Sequence, residues 1–403
     1  MNLHELNSNP PGDATGLPLP DTQALQHSER LRLSIRHEIE RHAGHIGFDR
    51  FMHMALYEPG LGYYSAGASK FGGQGDFVTA PEISPLFSFC LARQCRQILQ
   101  NLAQGIILEL GAGSGRMACD ILLELKRSDC LPARYLILET SADLRQRQQR
   151  LLQQSLPDYF DRIEWLERLP DKPLTGVILA NEVLDALPFH RVVIRDGQLN
   201  ELHVSCRDET FDWTEVAAQP RLDAHWQDIQ HGLQYEWQEG YMTEINTAVA
   251  PWITSLAELL QQGAMLLIDY GYTRKEYFHP QRADGTLLCH YRHRVHTDPF
   301  IYPGLQDITA SVEFTAVAEA ATAAGLALAG FTTQAFFLIA CGLEEILASC
   351  GEQDQSKSME LANQVKLLTL PGEMGERFKV IGLTRDLEPG LMGFSLSDHR
   401  RYL

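Results

Sequence analysis

The run Ile106-Ile107-Leu108-Glu109-Leu110 passes without interruption into Gly111-Ala112-Gly113-Ser114-Gly115, and Met117, Ile121, Leu122 and Leu125 then recur at helical spacing. A short apolar strand, a glycine loop and an amphipathic helix in that order form the opening unit of a wound α/β sheet. The unit repeats at once. Tyr135-Leu136-Ile137-Leu138 ends at Glu139 and precedes a helix bearing Leu144, Leu151 and Leu152. Further strands are predicted at 162–166, 176–180 and 265–269. Strands that alternate with helices predict a Rossmann-like, doubly wound, mostly parallel sheet.

The remaining segments hang on that frame. Residues 1–22 read as a disordered tail. Leu31, Ile35 and Ile39 then recur every four residues, which describes an amphipathic helix at the start of an N-terminal helical and lid segment, 23–104. Within it, the stretch from Ile46 to Glu82 is dense in glycine and aromatics and reads as an ordered loop able to close as a lid. A helical period follows from Ile83 to Gly105. The main domain covers 105–385 and carries a β-rich insertion at about 189–243, where 191–195 and 199–204 flank an Asp196-Gly197 turn as a hairpin. For Trp213, Trp226, Tyr235 and Trp237 in this insertion, packing is favoured over a partner-facing role. Beyond it we expect a helix at 312–324, a strand near 326–332, a helical stretch at 336–347, a last strand at 378–383, and a C-terminal tail at 386–403.

Charge narrows the partners. The 403 residues include 52 acidic and 34 basic side chains, a formal charge of −18. A negative chain repels a phosphate backbone, and the one local basic patch surrounds Arg292 and Arg294, so general nucleic-acid binding is excluded and a cationic partner fits better. No apolar run reaches the roughly 18 residues of a membrane span, and the first residues show no secretory signal. We expect a soluble, non-secreted chain with no membrane partner; self-association into a homodimer stays open. Eight cysteines without a CxxC pair predict reduced thiols, no disulfide framework and no zinc site.

Two places carry chemistry. Gly111, Gly113 and Gly115 let a ligand approach the backbone at a helix N-terminus, and something flat and nucleoside-like should sit there. Their GxGxG spacing differs from the dinucleotide fingerprint. Glu109 would repel a pyrophosphate but suits the cationic amino-acid portion of S-adenosyl-L-methionine, while Glu139 at the next strand end is placed to accept ribose hydroxyls. The second place is Asn181-Glu182-Val183-Leu184-Asp185-Ala186-Leu187-Pro188, after the fourth strand and on the same crevice. Two carboxylates and an amide there can meet a nucleophile, although Asp185 and Glu182 would also suit helix capping. His290, His293 and His296 follow the fifth strand; their spacing argues against a metal and for a substrate-facing, lid-clamping or solvated basic loop.

The stretches ILELGAGSGR, LANEVLDALP, FGGQGDFVTAPEISP and RHRVHTDPFIYPGLQDITASVEF together resemble the MidA/NDUFAF7 family of class I S-adenosylmethionine-dependent methyltransferases, over about 46–383. The best-known member symmetrically dimethylates an arginine on a subunit of respiratory complex I. The resemblance implies a protein arginine methyltransferase that uses S-adenosyl-L-methionine, with cofactor contacts from Gly111, Gly113, Gly115, Glu139 and Asn181, and from Gly75, Asp76, Phe77 and Pro81 of the lid. It also implies an arginine-bearing protein as substrate. We assign Glu182, supported by Asp185, to gripping the guanidinium and taking its proton. The start of the chain is not Arg-rich or amphipathic, so a bacterial cytoplasmic location is expected. A small-molecule methyltransferase, or an assembly factor that docks a partner through the aromatic insertion, are the alternatives; a nicotinamide dehydrogenase is disfavoured by Glu109 and the glycine spacing.

Overall fold

Among the described residues the central sheet has eight strands, Val312–Glu313 at its margin and seven along its main path: β1 (Ile106–Leu110), β2 (Tyr135–Leu138), β3 (Ile163–Leu166), β4 (Leu174–Asn181), β5 (Leu260–Tyr272), β6 (Ala327–Thr333) and β7 (Phe378–Arg385). In this computed structural model, which describes residues 16–66, 78–351, 355–388 and 390–403, they lie in the order β3-β2-β1-β4-β5-β7-β6. β1 to β5 are mutually parallel. β7 runs antiparallel to both β5 and β6. Strand order reverses between β1 and β4, and in a wound sheet that reversal opens a crevice at the strands' carboxyl ends.

Both faces of the sheet are covered, which is why its strands are apolar on both sides. Ile107, Ile137, Val177 and Leu179 pack under α4 (Pro85–Leu99), α5 (Arg116–Arg127) and α6 (Ala142–Ser155). Leu108, Ile178, Met265 and Leu267 face the other layer, where Ile253 and Val317 come from helices Val249–Leu259 and Phe314–Ala323.

A second sheet is antiparallel and draws on two distant parts of the chain. Strand His45–Gly47 pairs with Gln198–Arg207, which also pairs with His190–Arg195 and Thr210–Ala217; Met242–Ile245 closes the far side. Asp196 and Gly197 both have positive φ, +50° and +71°, as a two-residue hairpin turn of this hand requires. The N-terminal segment and the insertion therefore form one body. Trp226 and Trp237 pack with Tyr241 and Phe278, and Trp213 lies against Phe48 and Phe300. Tyr235 meets Trp237. The insertion's aromatics serve packing.

Several expectations are corrected. Residues read as the start of a loop form helix α2 (Phe48–Tyr57), because Phe51, Met52, Ala55 and Leu56 supply a buried face and no proline or glycine interrupts it before Pro59. A second short helix, α3 (Ala80–Ile83), ends the lid stretch. The helix expected from 312 starts at Phe314, since Val312–Glu313 pairs in parallel with the end of β5. The loop at 290–296 is a hairpin of strands Leu288–Tyr291 and Arg294–His296. Residues 17–20 are not loose: Leu17 is buried, Arg292 Nη1 donates to the Leu19 carbonyl, and Asp21 caps α1 (Thr22–Arg41). The segment after 386 is tied down too. Leu391 and Phe394 are buried, and Gly330 and Gly382 leave the room Phe394 fills, since a Cβ on Gly330 would stand 2.1 Å from its ring.

Candidate functional site

At the end of β1 the backbone turns left-handed at each glycine: φ is +66° at Gly111, +54° at Gly113 and +84° at Gly115. L-residues avoid this region, so glycine is required by conformation as well as by space. Gln148 of α6 fastens the loop. Its Nε2 donates to the Gly113 carbonyl at 2.8 Å and to Glu139 Oε2 at 3.1 Å, while its Oε1 accepts from Trp165 Nε1 at 2.9 Å. Glu139 Oε1 accepts from the Ser141 N–H at 2.8 Å. The acid of β2 is thereby held at a fixed height beside the loop of β1. Glu109 is buried beneath both. Tyr135 donates to its Oε2 at 2.6 Å, and its Oε1 has no hydrogen-bond partner among the described residues. Burial pushes the Glu109 carboxyl up to about 7 against that hydrogen bond, and the charge of Glu139 adds to the push.

After β4 the chain makes a turn that Asp269 of β5 organises. Asp269 Oδ2 accepts the N–H groups of Val183, Leu184 and Asp185 at 3.0–3.2 Å, and Oδ1 accepts that of Tyr270 at 2.9 Å. Glu182, the first residue of the turn, has φ +54°. A non-glycine residue there is strained, and strain of this kind gathers where side chains are aimed for chemistry. Tyr270 donates to Asp185 Oδ2 at 2.7 Å, and Asn181 Nδ2 donates to Glu182 Oε1 at 3.1 Å. Asn181 Oδ1 and Asp185 Oδ1 are buried without a hydrogen-bond partner among the described residues. Burial and the neighbouring Asp185 charge drive Glu182 up to about 8; burial raises Asp185 to about 6 against the hydrogen bond from Tyr270.

The N-terminal segment closes this end. The Tyr64 hydroxyl reaches both carboxylate oxygens of Asp307 at 2.9 Å, and Tyr57 donates to the Ala186 carbonyl at 2.9 Å. The two tyrosine rings stack, with centroids 5.5 Å apart. Ser114 donates to Glu82 of α3, so the lid stretch returns to the glycine loop.

The glycine loop, Glu109, Glu139, the turn after β4, Tyr270, Asp307, Tyr57 and Tyr64 line one cavity of about 760 Å³. Of the residues expected from sequence, Pro81, Glu109, Gly111, Gly113, Glu139, Asn181, Glu182 and Asp185 face it. Gly115 does not. It caps α5 under Gln148, where a Cβ would come within 3.0 Å of the Gln148 side chain, so its part is packing and the expected contact is corrected. Gly75, Asp76 and Phe77 lie outside the described residues. Of the three histidines, His290 lines the cavity. Tyr57, Tyr64, Tyr270, Asp307 and the supports Asp269 and Gln148 were not found by sequence reasoning. Asp269 and Tyr270 had a signal, the carboxyl end of β5; Tyr57 and Tyr64 lie in the aromatic stretch read as a lid, and Asp307 in one of the stretches that carry the resemblance; Gln148 had none.

The cavity fits S-adenosylmethionine on its own chemistry. A left-handed glycine turn leaves backbone open beside an acid suited to hydroxyls, and two buried acceptor atoms, Glu109 Oε1 and Asn181 Oδ1, stand without donors among the described residues. Buried acceptors of this kind call for a ligand that brings N–H or O–H groups. The chain matches a protein family described as "Putative S-adenosyl-L-methionine-dependent methyltransferase" over residues 90–332. Among solved structures, it is similar to a COG1565 superfamily member from Burkholderia thailandensis bound to S-adenosyl-homocysteine, at 41% identity and a TM-score of 0.91, with 96% of this chain and 100% of that chain covered. Among curated proteins, it is 26% identical to the protein arginine methyltransferase NDUFAF7 homolog, mitochondrial, of Drosophila melanogaster, over 88% of this chain and 84% of that protein. The corresponding Danio rerio protein is 28% identical over 83% of this chain and 82% of its own length.

Proposed function

We propose that this chain, which belongs to that family of S-adenosyl-L-methionine-dependent methyltransferases, transfers methyl groups to an arginine side chain of a protein. The observation that carries the acceptor assignment is the recess beside the glycine loop, where Glu182, Asp185 and Asp307 meet the rings of Tyr57, Tyr64 and Tyr270. Carboxylates backed by aromatic faces suit a planar cation with several N–H donors. The names of the curated relatives, which are arginine methyltransferases, support the same reading.

When bound, the cofactor supplies an electrophilic methyl group on a sulfonium. Gly111, Gly113, Glu139, Asn181 and Pro81 hold it in this reading, with Glu109 toward its cationic end. Glu182 and Asp185 accept N–H groups of the guanidinium, which concentrates electron density on the attacking nitrogen. Glu182 takes the proton that this nitrogen sheds as it gains the methyl carbon. A carboxyl raised to about 8 is a far better proton acceptor than an ordinary one. Asp269 and Tyr270 position the turn, and the stacked tyrosines exclude water from it.

The test is incubation with isotopically labelled S-adenosylmethionine and a cell extract, then mass spectrometry of protein and small-molecule fractions. Label on an arginine of a polypeptide is expected. Label confined to small molecules would replace the acceptor reading and leave the methyltransferase standing.

A further inference from the structure

Away from the cavity, four polar side chains meet where the N-terminal segment joins the insertion sheet. His190 Nδ1 lies 2.7 Å from Glu201 Oε1 and 3.9 Å from Asp49 Oδ1, and His203 Nε2 lies 3.4 Å from Glu201 Oε2. The ligand atoms of Asp49, His190 and Glu201 all fall within 4.8 Å of one another. We propose that Asp49, His190 and Glu201 bind one divalent transition-metal ion of the zinc class, tying helix α2 to the insertion.

Four observations carry this. Donors about 2.0–2.2 Å from a tetrahedral ion stand on the order of 3.4 Å apart, and the separations of His190 Nδ1 from Glu201 Oε1 and Asp49 Oδ1, 2.7 and 3.9 Å, lie on either side of that value. His190 has its far nitrogen fixed, Nε2 lying 3.2 Å from Thr247 Oγ1, the arrangement that orients a ligating imidazole, while His203, held by His45 Nδ1 at 2.9 Å, backs Glu201. Glu201 is 1% exposed, and its second oxygen, Oε2, is turned to His203 Nε2 3.4 Å away, which leaves Oε1 on the side of His190 and Asp49. Gly47 leaves open the space between the two carboxylates, since a Cβ there would stand 2.3 Å from Asp49 Oδ1 and 3.6 Å from Glu201 Oε1. Two carboxylates neutralise a divalent charge, and imidazole with carboxylate favours zinc over calcium or magnesium. The ion would take the place of the proton between His190 Nδ1 and Glu201, with the imidazole carrying its N–H on Nε2 toward Thr247 Oγ1.

The test uses untagged full-length chain, stripped with chelator and titrated with zinc chloride by calorimetry. The expected result is saturation at one zinc per chain and a melting temperature that rises with zinc concentration. Asp49 is half-exposed, so Asp49→Asn keeps the fold and should weaken zinc binding about tenfold or more; Thr247→Val should weaken it less. Both variants should bind S-adenosylmethionine as the parent does, and His293→Ala on the other hairpin should leave zinc binding unchanged. Stripped parent chain that takes up no zinc, or zinc binding untouched by Asp49→Asn, would overturn the proposal.

Discussion

Between Glu109 and Glu139 the cavity wall is mostly backbone, whereas between Glu182 and Asp307 it is made of side chains. The first region comes from two adjacent strand ends and the glycine loop of one of them, joined by the Gln148 side chain, which bonds both the loop and Glu139. The second gathers Tyr57, Tyr64, Glu182, Asp185, Tyr270 and Asp307 from four separate stretches, and Tyr64 and Asp307 are 243 residues apart in the chain. A backbone site recognises what any chain of this fold must hold, and it tolerates little change. A side-chain site can be rebuilt for a new acceptor without disturbing the sheet, and it depends on tertiary packing to exist.

That difference predicts separable failures. Glu182→Gln keeps the shape of the acceptor region but removes its proton acceptor, so kcat should fall by about 10²–10⁴ while S-adenosylmethionine affinity stays within about twofold. Single-turnover methylation beside calorimetry measures both; equal losses would mean the two regions act as one. The rate should also depend steeply on pH. Glu182 must be ionised to grip and to accept, and with its carboxyl raised to about 8, kcat/KM should climb about tenfold per pH unit up to that value and then level. Stability of the empty protein moves the other way. Between the ordinary 4.5 and about 8, the folded chain keeps a proton that the unfolded chain has released, so this group's contribution is lost as pH rises through that window. Melting temperature against pH should therefore slope down less in Glu182→Gln than in the parent.

The backbone region is legible in the sequence itself, because Glu109, Gly111, Gly113 and Glu139 are set by strand ends and by a loop five residues long. The turn at Asn181–Asp185 is legible for the same reason, as it lies directly after β4. Gly115 takes a different role from the one its spacing suggests, since spacing does not say which glycine meets a ligand and which meets a neighbouring helix. Helix α2 is masked by the glycines beyond Pro59, which give the whole stretch a loop-like composition although its first ten residues have a helical apolar period. The stacking of Tyr57 on Tyr64 and the grip of Tyr64 on Asp307 have no local signature, since each needs the N-terminal segment to lie across the ends of β4 and β5. The same holds for the His190 and Glu201 cluster, which forms once His45–Gly47 pairs with the insertion.

Smaller effects probe the boundary between the regions. Gly111→Ala must place a β-carbon in left-handed backbone, 3.2 Å from Val183 Cγ2. The strain of roughly 1–2 kcal/mol should weaken cofactor binding on the order of tenfold, and saturating cofactor should restore most of kcat. If kcat stays low at saturation, Val183 has passed the push to Glu182, and the boundary is less sharp than the geometry suggests. Tyr64→Phe makes the mildest cut, removing one hydroxyl from Asp307 and leaving the ring stacked on Tyr57. A hydrogen bond of net worth about 0.5–1.5 kcal/mol then separates parent from variant, so KM for the acceptor should rise about two- to tenfold at constant kcat and constant cofactor affinity. A change in cofactor affinity instead would show that Tyr64 serves the lid over the glycine loop, and that the tyrosine pair belongs to the backbone-built half of the cavity.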